Sequence, residues 1–150
     1  MTRLTLPTTR AAYPWHFELQ TRFGDLDIRA HLNNVSIARL FEETRVRHNH
    51  HLKALISGFN PFGFVMARLT IDYLAEGQYP AAVTIGQAIT HIGTTSLVAG
   101  AAMFQGDKCL AVCESVLVHR TDAGSTPLPQ SLRERLAEMT LRTDTTGETK

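Results

Sequence analysis

Between Gly24 and Val35 the sequence gathers groups that can act on a carbonyl carbon or on water. Asp25 and Asp27 stand two residues apart, His31 follows, and Asn33 and Asn34 precede a helical run. A loop carboxylate can attack a carbonyl or take a proton from water. The first amides of a helix have no intrahelical acceptor and lie at the positive end of its dipole. They therefore favour an oxygen on which negative charge develops. The same residues also have a purely structural reading. Aspartates bond their own loop backbone in turns, and His31 can be a loop histidine bonded to main chain. Glu42 and Glu43 are further carboxylates on the helix. His48, His50 and His51 raise the question of a metal, with His48 and His51 at i, i+3. No His-Glu-x-x-His pattern accompanies them, and a useful site needs three or four converging ligands. They read as a solvated helix end, and no metal is expected.

The elements that must hold these groups follow from periodicity. Trp15, Phe17, Leu19, Thr21 and Phe23 alternate with polar residues, which predicts a half-buried strand. Asp25–Leu32 has no clear period and reads as a structured loop. Asn33 or Asn34 is the expected N-cap. A helix is predicted from there to about Leu52, with Val35, Ala38, Phe41, Arg45 and Leu52 near one apolar face and Ile37, Leu40 and Thr44 beside them. The stripe is wide, so a sheet should cover it. Gly58, Asn60, Pro61 and Gly63 break the chain. Four long strand-like runs follow, roughly 64–74, 82–92, 96–104 and 109–120, separated by turn residues. Short turns between long strands predict an antiparallel meander. A short helix with Leu132 and Leu136 at i, i+4 comes next. The layout is α+β: one domain over 15–139, with 1–14 as an N-terminal arm and 140–150 as a polar, flexible tail. Its five-stranded antiparallel sheet should curve around the long helix. Open strand edges predict a homodimer or homotetramer.

Composition narrows the function. The chain has 150 residues, 43% hydrophobic, with 15 basic against 14 acidic side chains and a net charge of +1. That balance disfavours nucleic acid as a partner. No apolar run reaches the ~18 residues that span a bilayer, and no membrane partner is expected. Cys109 and Cys113 are the only cysteines and read as reduced thiols of a cytoplasmic protein.

Phe23-Gly-Asp-Leu-Asp27, His31-Leu-Asn-Asn34 and Phe41-Glu-Glu-Thr-Arg45 resemble the 4-hydroxybenzoyl-CoA thioesterase family of hot-dog folds. Ile71-Asp72-Tyr73-Leu74, Ile92-Gly93 with Ser96, and Pro127-Leu128-Pro129 with Leu132-Arg133 are similar to later motifs of that family. The resemblance runs from about Trp15 to Leu136. It implies hydrolysis of an acyl-CoA thioester, with no cofactor beyond the coenzyme A of the substrate. It implies Asp27 as nucleophile or general base, the Asn34 amide as donor to the thioester carbonyl, and His31 in support. The acyl group would lie between the helix of one chain and the strands of another, near Ile37, Phe41 and Phe62. Thr94, Thr95 and Ser96 occupy the turn where relatives hold coenzyme A phosphates. An acyl carrier protein as substrate carrier, or a non-catalytic acyl-thioester-binding protein, are the alternative readings.

The chain departs from the family pattern at several positions. Ala30 replaces a usual glycine, and alanine would be strained if that loop needs positive φ. Ile37 replaces a common tyrosine. Thr94-Thr95-Ser96 lacks the basic residues some relatives carry, with Arg29, Arg39 and Arg68 as candidate substitutes.

Overall fold

The computed structural model describes residues 1–143. Helix α1 spans Asn34–Leu55. The Asn33 side chain accepts from the Val35 amide at 2.8 Å, which caps one of the free helix-start donors. Its buried positions are Ser36, Ile37, Leu40, Phe41, Thr44, Arg45, His48 and Leu52, one continuous face.

Strands β1 (Trp15–Leu19), β2 (Phe64–Tyr73), β3 (Val83–Ile92), β4 (Ser96–Gln105) and β5 (Lys108–Thr121) form an antiparallel sheet curled around that face. The order is β1-β3-β4-β5-β2, and the two-residue β6 (Gly124–Ser125) pairs with the end of β5. Helix α2 spans Gln130–Ala137 and seals the far end through Leu132 and Leu136. This is the expected α+β layout.

Two details differ from the sequence expectation. The first strand ends at Leu19, not Phe23. Thr21 Oγ1 donates to the Ala81 carbonyl, and Asp25 Oδ2 accepts from the Arg22 amide at 2.9 Å, so Phe23–Asp25 closes into a 3-10 turn. The four later strands are not a simple meander. Only β3, β4 and β5 are sequential neighbours, while β2 lies on the far side of β5 as an edge strand. Pairing across such a distance leaves no local signal in the sequence.

Among the described residues, two apolar clusters pack around α1. Leu32, Ile37, Leu40 and Phe41 pack on Val83, Ile85, Met103 and Leu110 behind the Asp27 loop. Leu52 and Ile56 pack on Ile89, Leu97 and α2 at the other end. Complete burial of such side chains contributes about 1.5–3 kcal/mol each. Between the clusters lie buried Thr44, Arg45, His48, Gln87 and Ser115. The opposite sheet face is lined by small residues. A Cβ on Gly86 would sit 2.7 Å from Tyr13 Cβ, and one on Gly100 would sit 2.7 Å from Leu6 Cδ2. Residues 1–14 therefore pack closely on the sheet, with Tyr13 fully buried. Of the expected tail, 144–150 lie outside the described residues. Thr140 forms a bridge with Ile89, and the Arg142 amide donates to the Ala12 carbonyl at 2.8 Å.

Candidate active site

The loop between Leu26 and Asn33 is built by its own backbone. Leu26 and Leu32 form a bridge, and the Asp27 amide donates to the His31 carbonyl at 2.9 Å. The Ala30 amide returns to the Asp27 carbonyl at 3.0 Å, which places Ala30 at φ +59°. The left-handed conformation is therefore occupied by a residue with a Cβ.

The two aspartates have different surroundings. Asp25 is 1% exposed. Its carboxylate takes the Arg22 amide and the Arg39 guanidinium, with Arg22 Nη2 at 3.6 Å, and its carbonyl accepts from Asn33 N at 2.8 Å. It is a fastening of the loop to α1. Asp27 is half-buried, and only its Oδ1 is engaged, by the Arg29 amide at 2.8 Å and the His31 amide at 3.2 Å. Oδ2 has no partner among the described residues. The Asn34 amide, at the first position of α1, likewise meets no acceptor among them.

Asp27, His31, Asn34 and Ile37 line one open cleft of about 360 Å³, together with Arg29, Tyr73, Leu74 and Glu76. Tyr73 Oη donates to the Asn34 carbonyl at 3.1 Å, and His31 Nε2 stands 3.3 Å from Glu76 Oε2. On the other side of Asp27 a shallow apolar cleft is lined by Phe23, Leu26, Ile28 and Ala30. Phe23 and Ile28 are exposed there.

The remaining expected site residues lie elsewhere. Phe41 is 1% exposed and belongs to the core behind the cleft. Thr94, Thr95 and Ser96 form the β3–β4 turn. Ser96 pairs with Val118, whereas Tyr73 pairs with Ala111. Seven strand residues at ~3.3 Å each separate those rows by about 23 Å. Phe62, 82% exposed, is at that far end too. Of the three arginines, Arg29 lines the cleft and Arg39 is held by Asp25. Strand register and loop shape bring Tyr73, Glu76, Phe23 and Ile28 to the site. A larger cleft of about 530 Å³ opens at the far end, among Phe59, Asn60, His119, Arg120 and Asp122. Its carboxylate, Asp122, is exposed, and no backbone amide fixes it among the described residues.

His48 is not at a solvated helix end. It is 2% exposed, packs against Trp15 at 4.8 Å between ring centroids, and its Nδ1 meets Gln87 Nε2 at 2.8 Å. Burial, with a smaller effect of His51, pushes it down to about 4. No group of three or more His, Cys, Asp or Glu side chains converges as metal ligands would among the described residues.

The thioesterase-like superfamily matches residues 21–136. The chain belongs to that superfamily. Solved structures agree. A thioesterase from Thermus thermophilus, complexed with coenzyme A and Zn, is 26% identical with a TM-score of 0.76, over 85% of this chain and 95% of that one. A predicted thioesterase from Bacillus stearothermophilus is 27% identical with a TM-score of 0.74, over 86% and 98%. The PA5185 protein from Pseudomonas aeruginosa strain PAO1, at 23% identity and TM-score 0.73 over 90% and 97%, shares the fold. No curated protein matches the sequence. The hot-dog fold expected from the Asp27 and Asn34 motifs is thus the fold of this thioesterase-like chain.

Proposed function

We propose that the protein is an acyl-CoA thioesterase with Asp27 at its reaction centre. One observation carries this reading: Asp27, whose Oδ2 is unengaged among the described residues, lines the same cleft as Asn34, whose amide meets no acceptor among them. The backbone amides on Oδ1 fix the carboxylate without consuming its reactive oxygen. The thioester carbonyl would accept from Asn34 N–H, where the α1 dipole favours the developing oxyanion. Asp27 then either takes a proton from the attacking water or attacks the carbonyl carbon itself. In the second route water opens the resulting anhydride. In both, the C–S bond breaks, water oxygen joins the acyl group and the coenzyme A thiolate takes up the proton. His31 supports the position of the reacting groups. Ile37 in this cleft, and Phe23, Leu26 and Ile28 in the apolar cleft on the other side of Asp27, favour a fatty or aromatic acyl group. The coenzyme A in the Thermus thermophilus structure supports the choice of carrier.

The active unit is a homodimer formed through β2. That strand is a sheet edge with Val65, Met66, Leu69 and Tyr73 exposed, beside exposed Val35 and Val46 of α1. A strand paired with its own copy about a twofold axis runs antiparallel. Its Tyr73 end therefore meets the Phe64 end of the second copy. This would bring Phe62 and the Thr94–Ser96 turn of that copy toward Asp27, where they can hold the acyl and coenzyme A portions. A cytoplasmic location is supported by the free thiols of Cys109 and Cys113.

The test is thiol release from acetyl-, benzoyl- and palmitoyl-coenzyme A, for the wild type and Asp27→Asn. A kcat/KM near ~10⁴ M⁻¹s⁻¹ or above on one acyl class is expected, with loss in the variant. Slow release from every substrate, undiminished in Asp27→Asn, would remove Asp27 from the mechanism. It would turn the reading toward a carrier-protein substrate or a binding protein.

A further inference from the structure

The Asp27 loop is bolted to a second segment, the end of β2 and the chain that follows it. Leu32 N donates to the Gly77 carbonyl at 3.0 Å, Tyr73 Oη donates to the Asn34 carbonyl, and His31 meets Glu76. The approach is close enough that any side chain at Gly77 would push neighbouring leucines aside. A Cβ there would fall 2.6 Å from Leu32 Cδ1 and 2.9 Å from Leu110 Cδ1. The main chain at Glu76 is itself anchored. The Leu74 and Ala75 amides both donate to the Leu110 carbonyl, and Lys108 Nζ donates to the Glu76 carbonyl at 3.1 Å. With its backbone held, the Glu76 side chain has one polar neighbour, His31 Nε2 at 3.3 Å.

His31 needs such a partner. Its backbone is clamped to Asp27 in both directions, through Asp27 N to His31 O and His31 N to Asp27 Oδ1. Nothing in its own loop fixes the ring. The charged and titratable groups around it are Asp27 and Arg29 from its own loop, Tyr73 and Glu76 from the β2 segment, and Lys108 behind Glu76. The 3.3 Å contact is an ion-pair proximity. Because a carboxylate only accepts, a small turn of the exposed Glu76 side chain into line with the ring would favour the tautomer with hydrogen on Nε2 and leave Nδ1 as the acceptor.

We propose that Glu76 is a positioning residue: it fixes the orientation and tautomer of His31 at the wall of the cleft beside Asp27. The kinetic part of this inference rests on the thioesterase reading, and the structural part does not. Glu76 and His31 are both partly exposed, so their contact adds little to stability. Its consequence is orientation, and small misplacements at a reaction centre cost rate.

The experiment compares wild type, Glu76→Ala, His31→Gln and the double variant. Kinetics would use benzoyl- and palmitoyl-coenzyme A, and two-dimensional NMR would follow the histidine side chains, with the His31 signals assigned by their loss in His31→Gln. In Glu76→Ala, kcat is expected to fall about five-fold with KM nearly unchanged, and the His31 ring signals to move. In the double variant no further loss beyond His31→Gln is expected. Additive losses, a change confined to KM, or unmoved His31 signals would each overturn the proposal. If no acyl-CoA is hydrolysed by the wild type while the His31 signals still move in Glu76→Ala, the thioesterase reading fails and the positioning role stands. If hydrolysis is efficient and the signals do not move, the reverse holds.

Discussion

At its N terminus helix α1 meets a polar cluster open to solvent, and at its middle it meets one sealed inside the sheet. The first is Asp27, His31, Asn34 and Glu76 around a cleft. The second is Arg45, His48, Gln87 and Ser115, all buried. Both contain a histidine and groups that hydrogen-bond it or could. Their settings separate them. In the open cluster, backbone amides hold one oxygen of Asp27 and leave the other free. In the sealed cluster, His48 is bonded to Gln87, Arg45 Nη1 reaches Ser115 Oγ at 3.4 Å, and the fully buried Gln87 Oε1 has no partner among the described residues. Burial also pulls Arg45 down from its ordinary value, opposed by the neighbouring Cys113 and Glu42. Open and half-engaged groups can meet a substrate. Sealed groups can only stabilise or destabilise the fold.

Asp27→Asn separates the clusters most sharply. The amide oxygen of asparagine can still accept from Arg29 and His31, so the loop should keep its shape and the melting temperature should stay within a few degrees. The free oxygen loses its charge and basicity, and hydrolysis should fall by roughly 10²–10⁴-fold. Equal losses of rate and stability would make Asp27 another structural aspartate.

In the sealed cluster the effect is on stability and depends on pH. The ordinary value of a histidine is 6.5, and burial holds His48 at about 4. The unfolded chain therefore takes up this proton first as the pH falls. The stabilising contribution is complete above pH 6.5, declines through the interval to about 4 and is lost below it. At ~1.36 kcal/mol per unit the whole span is about 3 kcal/mol. His48→Gln keeps a group that can bond Gln87 but does not titrate. Urea unfolding at pH 7 and pH 4.5 should show a shallower pH loss for the variant. An identical loss would place the acid sensitivity at other groups.

Asp25 tests the comparison inside the loop itself. It is sealed like His48 but lies two residues from Asp27. Asp25→Ala removes the acceptor of the Arg22 amide and of Arg39. Both arginine side chains are half or more exposed and can turn to water, so a stability loss of about 2 kcal/mol is expected by chemical denaturation. The kcat of the folded fraction should change far less than in Asp27→Asn.

How legible these regions were in the sequence follows the same division. Asp27, His31 and Asn34 are joined by eight consecutive residues, so loop and helix-start chemistry exposed them. The stripe predicts a covered Phe41, yet not that the cover leaves it no access to the cleft, and the same pattern reads the enclosed His48 as solvated, because a helical stripe marks which residues share a face, not what lies on it. Here the sheet seals Phe41, and Trp15 and Gln87 enclose His48. Alternation marks the long strands, while the position of β2 beyond β5 depends on pairing between residues 38 to 55 apart, Tyr73 with Ala111 to Phe64 with His119. Glu76 and Tyr73 enter the site through that pairing, which is why spacing along the sequence did not reveal them.

Ala30 gives the smallest effect and the most local one. Its φ of +59° lies in the left-handed region, where a Cβ costs about 1–2 kcal/mol. The turn is held there by the Ala30 amide on the Asp27 carbonyl. Glycine would remove the steric cost but make the unfolded chain freer, by roughly 0.5–1 kcal/mol. The balance is a gain of about 0.5–1 kcal/mol, or about 2–3 °C in melting temperature for a domain of this size. The gain should add to the His48→Gln change within ~0.5 kcal/mol, because the two positions share no partner, and the stretch of α1 from Asn34 to His48 alone spans some 20 Å at ~1.5 Å per residue. A melting temperature that does not rise in Ala30→Gly would mean that the left-handed turn is stabilised by more than its one hydrogen bond. The rigidity of the Asp27 loop would then come from the β2 segment bolted against it, and the same measurement repeated on Glu76→Ala would locate it.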